Sequence, residues 1–183
     1  MQGAIVGPPL ASDLKSMLGD DNVAVQGIDY AAAVGTNLSP GNADPQGVFN
    51  MRSLFMQAAQ KCPQTKILAS GYSQGAAIVH GAMEDLPATI MSQIAGVALF
   101  GDTRNLQERG RVAGYPEDQT LIICNPGDLV CSGTLTILPP HLAYGPRVPE
   151  ASRFLVRMVQ GAGADGAAGN SGRGFGRSAG RGA

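Results

Sequence analysis

A serine stands between two glycines in the run Gly71-Tyr72-Ser73-Gln74-Gly75. The residues before it, Thr65-Lys66-Ile67-Leu68-Ala69-Ser70, read as a strand, and those after it, Ala76-Ala77-Ile78-Val79-His80-Gly81-Ala82-Met83, as a helix. G-x-S-x-G between strand and helix is the pattern of a nucleophile elbow. Small flanking residues allow a sharp, strained turn that lifts the hydroxyl above the sheet. The plain alternative is a serine in an ordinary turn. The strand on one side and the helix on the other favour the nucleophile.

A serine hydroxyl needs a base within hydrogen-bond reach, and histidine titrates in the right range. The chain has two histidines. His80 follows Ser73 by about two helical turns, roughly 10 Å along the axis, and reads as a packing or surface residue. His141 lies in Pro139-Pro140-His141-Leu142-Ala143-Tyr144-Gly145, beyond the last strand signal. Sheet hydrolases order the residues serine, acid, histidine, and His141 fits that order. The acid must then fall between them. Asp102, after Phe100-Gly101, and Asp128, in Asn125-Pro126-Gly127-Asp128, both sit where strands should end. That edge of a parallel sheet collects ligand chemistry. Asp128 is the better placed, because it directly precedes the segment leading to His141. Cys124 and Cys131 bracket it, and a disulfide between them would hold the carboxylate in a small ring. The alternative for Asp128 is a turn aspartate capping its own backbone.

Elements must position these groups. Residues 8–19 read as a helix with Leu10, Leu14 and Leu18 in line. The segment 22–28 reads as a short strand and 35–45 as a polar loop, and 46–60 is a second helix stopped by Pro63. Ile94 to Phe100 is almost wholly apolar, as a strand covered on both faces would be, and Gln119 to Cys124 is another strand. A closing helix spans 150–160. Strands alternating with helices predict an α/β fold with a parallel sheet between helical layers. Residues 1–160 form one expected domain. Residues 161–183 are Gly, Ala and Ser with Arg173, Arg177 and Arg181, a composition expected to stay disordered. The net charge of −1 provides no electrostatic footprint for nucleic acid. No apolar run reaches the roughly 18 residues that a membrane-spanning helix needs.

Taken together, Gly71-Tyr72-Ser73-Gln74-Gly75-Ala76-Ala77, Phe100-Gly101-Asp102-Thr103-Arg104-Asn105-Leu106-Gln107, Cys124-Asn125-Pro126-Gly127-Asp128-Leu129-Val130-Cys131 and Pro140-His141-Leu142-Ala143-Tyr144-Gly145 resemble the fungal cutinases. The resemblance covers about residues 7–160. It implies a small, secreted, lidless α/β-hydrolase. A monomer without metal or cofactor is the accompanying expectation. It also implies a serine esterase acting on cutin and on short- to medium-chain esters. Ser73, Asp128 and His141 fall on the family's triad, which decides for Asp128 over Asp102. Gln74 matches the backbone oxyanion donor, and Asn37 an asparagine that supports the other oxyanion residue. Val34, Leu135, Ile137 and Leu142 match the apolar rim around the acyl chain, and Tyr72 is a further substrate-binding candidate. An acetylxylan esterase is the near alternative. A non-catalytic, surface-binding or elicitor-like product is the distant one.

The resemblance also implies features that this sequence lacks. The family carries a strand before the first helix, with a serine that is the second oxyanion donor, and a cysteine further upstream that pairs with the one at Cys62. The expectation is therefore that a first strand and a signal peptide are missing and that Cys62 is unpaired.

Overall fold

The computed structural model describes residues 5–161, apart from the side chain of Val34. The expected tail lies outside the described residues from position 162 onward. The elements are α1 (Gly7–Leu18), α2 (Pro45–Lys61), β1 (Ile67–Tyr72), α3 (Gln74–Met83), the one-turn α4 (Ala88–Met91), β2 (Ile94–Phe100), β3 (Thr120–Ile123), the one-turn α5 (Pro139–Leu142) and α6 (Val148–Gln160).

The sheet of the described residues has three parallel strands in the order β1-β2-β3. β2 lies in the middle, and its last four residues, Val97, Ala98, Leu99 and Phe100, have no exposed surface. Alternation sends them to opposite faces. Val97 and Leu99 join α2 and α3 through Met51, Phe55, Ile78 and Met83, while Ala98 and Phe100 join α1 and α6 through Leu10, Leu14, Phe154 and Leu155. The fold is thus three-layered α/β, with helices on both sides of a parallel sheet. Each fully buried Leu or Phe contributes about 1.5–3 kcal/mol relative to exposure. β2, whose residues serve both layers, is therefore the mechanical centre of the molecule.

Local signals set the helix ends. Pro occupies the first turn of α1, α2 and α6, where its missing N–H is no loss. Asp44 caps α2, its side chain accepting from the Gly47 N–H at 2.9 Å. α2 ends at Lys61, two residues before Pro63. The buried Ser152 on α6 donates to Asp13 Oδ2 on α1 at 2.8 Å, which ties the two helices of one layer together.

One sequence expectation is corrected. The segment 22–28 is not a strand of the sheet: Asp20–Asn22 is a 3-10 turn, and an extended run without strand pairing follows it. Two of the apolar residues that suggested a strand serve packing instead. Val23 lies against the α1/α6 cluster and Ile28 against the α2/α3 cluster. A chain that crosses from one layer to the other produces the same residue pattern as a half-buried strand.

The register matters for function. Tyr72 stands beside Phe100, and Phe100 beside Ile123. The ladder continues one step further, with Ser73 N–H donating to Phe100 O and Gly101 N–H to Ile123 O, each at 2.9 Å. The three strands therefore end level, and Ser73, Gly101 and Cys124 leave the sheet at one edge.

Candidate active site

Ser73 sits between β1 and α3 with φ 55° and ψ −121°, a conformation that a non-glycine residue rarely holds. The turn is so tight that a Cβ on Gly71 would come within 2.3 Å of the Gly75 carbonyl oxygen. No side chain fits at position 71, which is the physical reason for that glycine. The buried start of α3 and the hydrogen bond to Phe100 O hold the strain in place. Ser73 itself is half-buried, so its hydroxyl can be reached from solvent.

His141 Nε2 lies 2.9 Å from Ser73 Oγ, and His141 Nδ1 lies 2.8 Å from Asp128 Oδ2. Side chains 68 and 13 positions apart in sequence thus form one linked row. With the ring neutral, Nδ1–H donates to the carboxylate, and the Nε2 lone pair faces the serine proton. Both His141 (1% exposed) and Asp128 (4%) are buried, which excludes competing water from the inner part of the row. Gly101 has φ +53°, and a Cβ there would come 2.9 Å from His141 Cε1. Glycine at 101 lets the turn after β2 form the floor beneath the imidazole.

Asp128, beyond β3, and His141, on α5, are both well braced. Cys124 and Cys131 form a disulfide with a sequence separation of 7, enclosing Asp128. Closing so short a loop restricts the unfolded chain by about 2.5 kcal/mol. Asp128 Oδ1 accepts from Val130 N–H at 3.0 Å, and Tyr144 OH donates to Oδ2 at 2.6 Å. Asn125 Nδ2 donates to Pro140 O (2.8 Å) and Ala143 O (3.1 Å), and so grips α5 from both ends. The half-buried Tyr72 stacks on the His141 ring at 5.2 Å between centroids, and its hydroxyl donates to the His141 carbonyl at 2.7 Å. Burial, and then the Asp128 charge, push the Tyr72 phenol above its ordinary value.

The Gln74 backbone N–H opens α3 and has no acceptor within its own helix. It adjoins Ser73, the residue that precedes the helix. The Gln74 side chain does something the sequence did not signal. Its Nε2 reaches Thr36 Oγ1 (2.7 Å), Asn37 Oδ1 (3.0 Å) and Ala33 O (3.1 Å), clamping the 33–37 loop to the elbow. With the Asn37 oxygen engaged, its amide NH2 is the end left to donate. Leu135, Ile137 and Leu142 are all exposed apolar side chains on the segment that carries His141. The backbone of Val34 lies in the 3-10 turn Val34–Leu38, and its side chain lies outside the described residues.

Asp102, the other acid considered from sequence, is brought to a different partner. Its Oδ2 lies 2.8 Å from His80 Nε2 inside the protein, and its Oδ1 accepts from Arg104 N–H. His80 is a packing residue, 1% exposed. Cys62 is free and exposed. Among the described residues no cluster of His, Cys, Asp or Glu could hold a metal ion, and no helix is long and apolar enough to cross a membrane.

A family model described as Cutinase matches residues 2–159. Cutinase 1 of Fusarium vanettenii is 47% identical over 159 residues, covering 85% of this chain and 69% of that protein. Probable cutinase 1 of Aspergillus niger is 44% identical over 160 residues, and the match covers 86% of this chain but only 61% of the relative. Among solved structures, Trichoderma reesei cutinase in complex with a phosphonate inhibitor superposes with a TM-score of 0.77 at 38% identity, covering 86% of this chain and 69% of that one. An acetylxylan esterase shares the fold alone, with a TM-score of 0.57 at 20% identity over 81% of this chain and 89% of that one. Matched over nearly all of its described length, by family and by relatives of this identity, the chain belongs to the cutinase family.

Proposed function

We propose that this chain is a serine carboxylesterase of the cutinase type, hydrolysing cutin and short- to medium-chain esters through an acyl-enzyme. The observation that carries the reading is the continuous row Ser73 Oγ, His141 Nε2, His141 Nδ1 and Asp128 Oδ2, with links of 2.9 and 2.8 Å. His141 takes the Ser73 proton as the oxygen attacks the ester carbonyl. Asp128 holds the imidazole tautomer and stabilises the imidazolium. His141 then returns the proton to the departing alcohol, and water repeats the attack on the acyl-enzyme. The Gln74 N–H donates to the tetrahedral oxyanion, a contribution typically worth about 10²–10³ in turnover. Asn37 supports the oxyanion side of the site. Val34, Tyr72, Leu135, Ile137 and Leu142 bound the acyl chain. The exposed aliphatic surface of Leu135, Ile137 and Leu142 suits a chain longer than acetyl.

The Cys124–Cys131 disulfide suits an oxidising compartment, so a secreted protein is the corresponding proposal. The test is hydrolysis of p-nitrophenyl butyrate and of a cutin film beside release of acetate from acetylated xylan. The expected outcome is ester and cutin hydrolysis with little xylan deacetylation, lost by at least about 10⁴-fold in Ser73→Ala. A preference for xylan would move the assignment to a deacetylase. Hydrolysis unaffected by Ser73→Ala would end the esterase reading.

A further inference from the structure

We infer that Tyr144 is a positioning residue of the reaction, a fourth member of the row that orients the Asp128 carboxylate and moderates its pull on His141. The inference rests on the esterase reading above. Tyr144 has no exposed surface, and its hydroxyl donates to Asp128 Oδ2 at 2.6 Å. That oxygen is the one that faces His141 Nδ1 at 2.8 Å. The direction of the phenol proton is determined by its surroundings. The Asn125 N–H donates into the Tyr144 oxygen at 3.0 Å, and an ionised carboxylate can only accept. The single phenol proton therefore points at Asp128. Burial, and then the bond to Asp128, hold this phenol well above its ordinary value, so the donor persists throughout the range in which an esterase works.

The ring is fixed as firmly as the proton. It meets His141 edge-on at 6.2 Å, Tyr72 at 5.8 Å and Phe100 at 6.0 Å. Tyr144 lies three residues after His141, so the segment that carries the base also carries the brace for the acid. Two donors share Oδ2, and each withdraws negative charge from the other's partner. Without the phenol, more charge faces the imidazole, the imidazolium is favoured, and the base is lost to protonation at a higher pH. The carboxylate would also lose one of its anchors. Because Tyr144 is buried beneath the row, substrate binding should not depend on it.

The experiment is Tyr144→Phe in the full chain, which keeps the ring and removes only the hydroxyl. The expected kcat is about tenfold lower with KM within about twofold of the unaltered chain. The acid limb of kcat/KM should move up by about half a pH unit. The downfield proton NMR signal of the His141–Asp128 bond should shift with it. Site-specific replacement of Tyr144 by 3-fluorotyrosine, a stronger donor of nearly the same shape, should move the acid limb the opposite way. It provides the test if the phenylalanine variant does not fold. An acid limb and downfield proton unmoved in the variants, with only a lower melting temperature, would make Tyr144 a core residue and overturn the inference. An unaltered chain that neither hydrolyses esters nor reacts with a fluorophosphonate would instead overturn the esterase reading, and this inference with it.

Discussion

The protein buries two histidine–aspartate pairs of the same length. His141–Asp128 and His80–Asp102 each span 2.8 Å, and all four side chains are at most 4% exposed. Their surroundings differ. The outer nitrogen of His141 meets Ser73, whereas the outer nitrogen of His80, Nδ1, is buried with no hydrogen-bond partner among the described residues. Asp128 takes hydrogen bonds from Val130 N–H and Tyr144 OH, and it lies on a disulfide-closed loop at the strand ends. Asp102 takes one from Arg104 N–H and ties the turn after β2 to the interior of α3. A buried imidazole–carboxylate contact is thus not itself a site. It becomes one where a third, reachable group completes the row, and otherwise it is a strut.

Asparagine substitutions should separate the two pairs. Asp128→Asn should lower kcat by about 10⁴, because an amide favours the wrong imidazole tautomer. Asp102→Asn should leave the kcat of the folded protein within about threefold. It should cost about 1–3 kcal/mol of stability, since it disturbs a buried hydrogen bond to a charged group. At roughly 2–4 °C per kcal/mol for a chain of this size, the melting temperature should fall by several degrees. Kinetics and thermal melts of the two variants check both halves. Loss of turnover in Asp102→Asn without loss of stability would break the distinction.

A smaller effect belongs to the tyrosines. Tyr72 and Tyr144, beside the first pair, and Tyr30 and Tyr115, in the other layer, all have phenols held above their ordinary value, in each case mainly by burial. A raised phenol binds its proton more tightly when folded than when unfolded. Its contribution is therefore fully present below about pH 10 and is lost as the pH rises through the folded values. Stability should decline above about pH 10, and phenolate absorbance should appear together with unfolding. Tyrosines that ionise at their ordinary value in the folded protein would contradict this.

Much of the site was legible because its signals are local. The elbow is five consecutive residues, and the steric demand at Gly71 is a property of the turn. The partnership of Asp128 with His141 was harder. From spacing alone Asp102 remained possible, since both acids follow strands, and resemblance to a family decided between them. In the structure His80 takes Asp102, a contact across 22 positions that no helical or strand period announces. Tyr144 and the Gln74 side chain were missed for the same reason. Each is visible as a residue, but its partner is set by how the loops fold back over the strand ends. The segment 22–28 misled because apolar residues that bridge two layers imitate strand alternation.

The central claim is that Ser73 is an activated nucleophile because of the groups behind it. Its most direct test is reaction of the full chain with a fluorophosphonate, with the site identified by mass spectrometry. The account predicts prompt labelling, one phosphonyl group per chain, on Ser73. A chain left unlabelled, or labelled at another residue, would contradict it.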